Sequence, residues 1–263
     1  MIDDRDTEWV TVDAILATDE LLPAYGGFKL AREALDRYAE SFMRRDHLTI
    51  AHDSTRPIAI RNVVAGVRLN AAGNNEVWAS FEAAADGWAE FEAERIAHGA
   101  PGGFSFTYAE RYGEVRAHRP GQQQITVSAD AHHFSPDDLA TAAMALGPIA
   151  DVDVNRLYQF SHVPPARAIV EFGIGLLESI PADLLASFLY DCIKVFIFRR
   201  KQAGGSTTVE MLVYDDGDSR RTTMSVTTDS ELVALEALRA GMAIATQPGR
   251  YVWRNDDHSW SSW

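Results

Sequence analysis

The sequence predicts an α+β protein: a small β-barrel flanked by helices, followed by a C-terminal helix–hairpin–helix module. Three observations predict it. Strand-like segments outnumber helical ones in the first half, and the helices are inserted between strands instead of alternating with them. The composition changes after about residue 145, where longer apolar and helical stretches begin. The chain has 263 residues and is 46% hydrophobic, enough for one large or two modest cores.

Residues 7–17 read as a strand, and Pro23, Gly26 and Gly27 mark the loop after it. Ala31, Leu35, Tyr38 and Phe42 recur at helical spacing and predict a helix over 28–45. Strand patterns follow near 48–52, 58–69 and 76–82; in the last, Val77, Ala79 and Phe81 alternate with other residues. Asn70 to Asn75, with Gly73 inside, has the composition of a hairpin connection. A helix over 87–98 leads through Gly99 to Gly103 into an apolar strand around Ser105, and strands are predicted at 113–118 and 123–131. Ser135-Pro136-Asp137-Asp138 then reads as a helix N-cap with proline at the first helical position.

These elements place a domain over residues 1–145 and a second α+β module over 146–263. In the module, a helix over 183–198 aligns Leu185, Phe188, Leu189, Cys192 and Phe196 on one stripe. Residues 202–206 form a Gly-rich link to a hairpin pairing 207–214 with 221–227 around Asp215 to Asp218. Thr228 and Glu231 give a capping-box pattern before a last helix bearing Leu232, Leu235, Leu238 and Met242. The aromatic tail, with Trp253, Trp260 and Trp263, is expected to dock on the fold.

Charge and cysteine content narrow the function classes. The net charge is -14, from 24 basic and 38 acidic residues, so the surface repels phosphate backbones and no nucleic-acid partner is expected. The one cysteine, Cys192, excludes an internal disulfide and points to a reducing, cytoplasmic setting. The acidic start, Met1 to Asp6, has no apolar core of a secretory signal. The most apolar stretch, 168–198, carries Glu171, Glu178, Asp183, Asp191 and Lys194 and is interrupted by Pro181; it reads as buried protein, not as a membrane span. Phosphate-loop and dinucleotide motifs are absent. His47, His52, His132 and His133 match no defined zinc spacing, so neither cofactor nor metal is expected.

The chemistry-bearing residues are a serine and several histidines. A serine hydroxyl is a poor nucleophile until an imidazole takes its proton, and that imidazole works best when a third group orients it. Ser105 lies in an apolar aromatic segment, just after Gly102 and Gly103. His52 ends the alternating segment of Leu48 and Ile50, before the turn-like Asp53 to Pro57; His47 is a second candidate base. Adjacent strand residues face opposite ways, so Asp53 is read as a turn residue, not as the partner of His52. In the strand ending at Asp130-Ala131-His132-His133, parity puts Asp130 and His132 on one face and His133 on the other. Asp130 is therefore the first candidate to orient His52, and His132 the second. Backbone amides near Gly102, Gly103 and Ser105 are candidate oxyanion donors.

Taken in order, these segments resemble the tailed-phage prohead (capsid maturation) serine proteases. The likeness covers about residues 7–145 and rests on Ala24 to Phe28, His52-Asp53 with Pro57-Ile58, Gly102-Gly103-Phe104-Ser105, and Asp130 ahead of Pro136. Ala59 departs from it, standing where the family usually has glycine. The resemblance implies an assemblin-like barrel, Ser105 as nucleophile, His52 as general base, and Asp130 or His132 as the orienting group. It also implies a serine endopeptidase acting on a capsid or scaffold protein, or on itself, and a homodimer. The helix and hairpin of the C-terminal module resemble small adaptor domains of bacterial conflict systems. That likeness implies partner binding and a place in antiphage defence. The alternative keeps the fold without the chemistry: a protease-like scaffold or sensor that binds assembly proteins.

Overall fold

The computed structural model describes residues 7–21, 27, 29–50, 53–97, 106–112, 123–160, 166–203, 205–215 and 220–262. Among them the chain is a mixed α+β protein of six helices and twelve strands in two sheets. It divides into two compact units, Met1–Thr107 with Gln159–Pro164, and Tyr108–Tyr158 with Pro165–Trp263.

The first unit is built on β1 (Trp9–Thr18), α1 (Arg32–Phe42), β2 (His47–Ile50), β3 (Asp53–Leu69), β4 (Asn75–Ala84) and α2 (Ala85–Ala97). Its sheet has the order β1-β4-β3-β2 with antiparallel pairing, and register shifts at Ile15/Ala17 and Arg61/Val64 curl it into a half-barrel. The alternation of Val77, Ala79 and Phe81 does what period two predicts: all three are buried, and Phe81 meets Phe42 of α1 edge-on at 5.7 Å. The predicted Asn70–Asn75 connection is a tight turn. The Asn70 side chain accepts from the amides of Ala72 and Asn74, and Gly73 takes φ 81. Buried Asp19 accepts from the amide and side chain of Asn75, and the side-chain bond chiefly holds its carboxyl below the usual range.

The second sheet contains β5 (Phe106–Tyr112), β6 (Gln124–Asp130), β7 (Asp151–Phe160), β8 (Arg167–Gly173), β9 (Thr207–Tyr214), β10 (Arg220–Thr228), β11 (Gly249–Arg254) and β12 (Ser259–Ser262). Its strand order is β12-β11-β10-β9-β8-β6-β7-β5. The helices of this part are α3 (Pro136–Leu146), α4 (Ile174–Ser179), α5 (Ala182–Ala203) and α6 (Glu231–Met242). Each of the pairs β6/β7, β8/β9 and β10/β11 is parallel, with α3, α5 and α6 respectively in the crossover between its members. The units therefore part at Thr107, not near residue 145, because β6 and α3 build their core with the later elements.

The two faces of this sheet differ. On one, Ile125, Val127, Val170, Val209, Met211 and Met224 pack with the inward residues of α3, α5 and α6. On the other, polar side chains pair across strands: Gln124 with Asp153, Asn155 with Ser128, Arg167 with Glu210, Tyr214 with Glu171, and Thr208 with Thr227. Leu157, Ile169 and Leu212 form a small apolar cluster there.

Several expectations are revised. The apolar stretch 168–198 is three elements, not one: β8, then α4, then α5 beginning just past Pro181. The expected helix–hairpin–helix is present as α5–β9–β10–α6, but as the middle of the larger sheet. The last helix is capped by Ser230, whose hydroxyl accepts from Val233, and not by Thr228, which accepts from the Ser230 amide. The tail docks as the β11–β12 hairpin: Trp253 and Trp260 meet edge-to-face at 5.5 Å, and Trp260 donates to the carbonyl of Ala237 on α6. Trp263 and the strand expected over 113–118 lie outside the described residues.

Candidate functional site

Of the residues singled out by sequence, His52, Ser105, Gly102 and Gly103 lie outside the described residues. Asp130 and His132 are described, and both belong to the second unit. His47 opens β2, where its Nδ1 meets the exposed Asp46 carboxylate at 2.5 Å.

Asp130 is the last residue of β6, and its side chain is fully buried. β6 pairs with parallel β7 up to Asp130↔Leu157, and the amide of Ala131 still bonds the carbonyl of Leu157. There the strand stops. The amides of His133 and Phe134 both return to the Asp130 carbonyl, which folds residues 131–133 into a turn.

The turn brings residue i+3 over residue i. His133, not His132, therefore meets Asp130: its Nδ1 lies 2.6 Å from Oδ2, and its backbone amide donates to the same oxygen at 3.1 Å. Against a carboxylate, Nδ1 is the donor, which leaves Nε2 presenting its lone pair. Nε2 has no hydrogen-bond partner among the described residues, and the His133 side chain is 11% exposed. His132 is exposed and stands edge-on to the His133 ring at 4.9 Å.

The floor of this turn is rigid for identifiable reasons. Phe134 is buried against Phe196 of α5 at 5.1 Å. Ser135 then caps α3 as expected. Its hydroxyl accepts from the Asp138 amide at 3.2 Å, and the Asp138 carboxylate accepts from the Ser135 amide at 2.9 Å. The other oxygen of Asp138 meets Arg199 of α5 at 2.8 Å. A buried carboxylate holding an imidazole thus sits at the carboxyl end of a parallel strand pair, on a turn pinned by a capped helix. Such strand ends are where open sheets with crossover helices usually place ligands.

His133 is the residue that sequence parity missed. The signal that could have found it is the Ser135-Pro136 cap, which leaves too few residues between Asp130 and the helix for the strand to continue. Cys192 carries no chemistry: burial pushes its thiol up to about 12, so it holds no thiolate at neutral pH. Among the described residues no cluster of His, Cys, Asp and Glu could hold a metal ion, and no helix is long and apolar enough to cross a membrane.

The chain matches no family model, no curated protein and no solved structure.

Proposed function

We propose that the protein is a serine endopeptidase that cleaves a specific protein partner, in phage capsid maturation or in a bacterial antiphage system. The observation that carries the reading is the Asp130–His133 pair, an oriented imidazole with a free Nε2, the form of base that serine chemistry requires. The order of the His52-Asp53, Gly102-Gly103-Phe104-Ser105 and Asp130 segments supports it, by its likeness to the prohead proteases and their assemblin-like barrel. In the reaction Ser105 Oγ attacks the scissile carbonyl while the base takes its proton and passes it to the leaving amine; water then hydrolyses the acyl-enzyme. Two imidazoles are candidates for the base, His52 by motif order and His133 by its carboxylate. Asp130 accepts from His133 through Oδ2.

The test is fluorophosphonate labelling of the full chain beside Ser105→Ala, His52→Ala and His133→Gln. Labelling of wild type that is lost in Ser105→Ala is the expected result, and the histidine variant that also loses it identifies the base. Labelling that survives Ser105→Ala overturns the assignment.

One observation favours the second reading, a protease-like scaffold that binds assembly proteins. Asp130 Oδ2 also accepts the His133 backbone amide, so the pair closes the turn without any chemistry. Full partner binding by a Ser105→Ala/His52→Ala double variant, with no cleavage product from wild type, decides for the scaffold.

A further inference from the structure

In a chain with 38 acidic residues against 24 basic ones, arginines find carboxylates readily. Arg61 meets Glu82, Arg68 meets Glu76, Arg167 meets Glu210 and Arg199 meets Asp138. Arg156 on β7 does not. Among the described residues its guanidinium makes no hydrogen bond and no ion pair, only a contact with the Tyr158 ring 5.4 Å away. Its Nε is buried without an acceptor, while its Nη atoms reach the surface. The Tyr158 hydroxyl donates to Glu110 of β5 at 2.7 Å, so that carboxylate is already engaged.

This arrangement is costly for a residue that only fills space. Burying part of a charged donor group without an acceptor lowers stability, and a methionine would occupy the same length without that cost. The buried stem has a second consequence: it holds the arm, so the Nη end is presented in a fixed direction instead of sweeping through solvent.

Strand register places that end. Ala129 pairs with Arg156 and Asp130 with Leu157, so Arg156 stands at the carboxyl end of the β6/β7 pair. Alternation turns it to the helix side with the half-buried Val152 and Val154, whereas Leu157 belongs to the polar side. Arg156 is therefore no part of the Asp130–His133 chemistry; a group bound to it lies on the other face of the same strand end. One guanidinium with two open Nη atoms matches a carboxylate, through two parallel N–H···O bonds. Phosphorylated groups are usually gripped by clusters of arginines, and a net charge of -14 repels nucleic acid.

We propose that Arg156 is an anchor for an acidic side chain of a protein partner, whose carboxylate it binds through Nη1 and Nη2. The anchor goes beyond the peptidase reading and does not rest on it: it serves a cleaved substrate and a bound scaffold partner alike, and its test involves no cleavage.

The test uses the full chain and a dye-labelled peptide of alternating alanine and glutamate, with its glutamine counterpart and inorganic phosphate as comparisons. Binding is read by fluorescence anisotropy. Contact is read by the Arg156 Nε–H resonance, assigned through its loss in Arg156→Met. The expected result is saturable binding of the glutamate peptide alone, which moves that resonance and weakens in high salt. Binding should also weaken by about tenfold or more in Arg156→Met and Arg156→Gln, and Arg156→Lys, which keeps the charge without the fork, should recover only part of it. The urea midpoint of Arg156→Met should equal or exceed that of wild type, because the variant loses an unsatisfied buried donor and keeps the stem. Absent saturable binding, equal binding of the glutamine peptide, an unmoved resonance, or unchanged affinity in the variants overturns the proposal. So does phosphate that displaces the peptide at equal concentration, or a midpoint that falls in Arg156→Met, which would make the arginine a structural residue.

Discussion

The β6–α3 and β10–α6 connections perform the same task with different chemistry. Each ends a strand and starts a helix with a serine at the N-cap, before a parallel return strand. At β10–α6 the turn is closed by neutral groups: Thr228 Oγ1 accepts from the Ser230 amide at 2.9 Å, and Ser230 Oγ from Val233 at 3.4 Å. At β6–α3 the corresponding strand-end residue is Asp130, whose fully buried carboxylate holds an imidazole. A hydroxyl evidently suffices to turn a strand into a helix in this sheet. Burying a carboxylate carries a desolvation cost that a hydroxyl avoids. The surplus chemistry at the first turn marks it, and not the second, as the candidate site.

The largest expected effect breaks the comparison directly. Asp130→Ala leaves the His133 ring and amide without their acceptor inside a closed turn, and should destabilise the protein by about 3 kcal/mol in urea unfolding. Thr228→Val removes one neutral bond and should cost about 1 kcal/mol. Equal losses would make the carboxylate an ordinary turn lock and favour the scaffold reading. His133→Gln sharpens the test, because its amide can still reach Asp130 while no longer serving as a base. Near-wild-type stability with lost fluorophosphonate labelling would separate chemistry from turn closure.

Short-range patterns were legible in the sequence and long-range register was not. The burial of Val77, Ala79 and Phe81 follows from period two alone, and the Ser135-Pro136 cap from residues within one turn. β7 went unrecognised because Asp151-Val152-Asp153-Val154-Asn155 alternates with aspartate and asparagine, residues that strands disfavour. They are tolerated because Asp153 and Asn155 pair with Gln124 and Ser128 on β6. Likewise, parity favoured His132 over His133 because it carries the strand past Asp130. What ends the strand there is the turn in which the amides of His133 and Phe134 return to the Asp130 carbonyl, just ahead of the Ser135 cap. Asp130 itself was legible as a candidate, but its partner was not.

A smaller effect separates the two helix caps. Ser135 and Asp138 form a reciprocal box, with the Ser135 amide and hydroxyl both donating to the Asp138 carboxylate, whereas Ser230 has one long bond. Ser135→Ala should therefore cost about 1–2 kcal/mol and Ser230→Ala about 0.5 kcal/mol, measured as shifts in the urea midpoint at constant slope. Reversed magnitudes would show that α6 depends on its cap more than α3 does.

The smallest effect concerns what ties the first turn to the helix layer. Arg199 reaches from α5 to the buried carboxylate of Asp138, but half of the arginine side chain faces solvent. Water and salt screen such a pair, so Arg199→Met should change stability by about 0.5 kcal/mol, and less in high salt. Among the described residues the second connection has no counterpart as strong: α5 reaches α6 there through Tyr190 and Glu231, whose oxygens are 3.4 Å apart. If Arg199 also holds the turn in position for chemistry, Arg199→Met should reduce fluorophosphonate labelling while leaving the urea midpoint almost unmoved. If labelling and midpoint instead fall in proportion, the bridge acts on stability alone, and the chemical difference between the two turns rests on the Asp130–His133 pair.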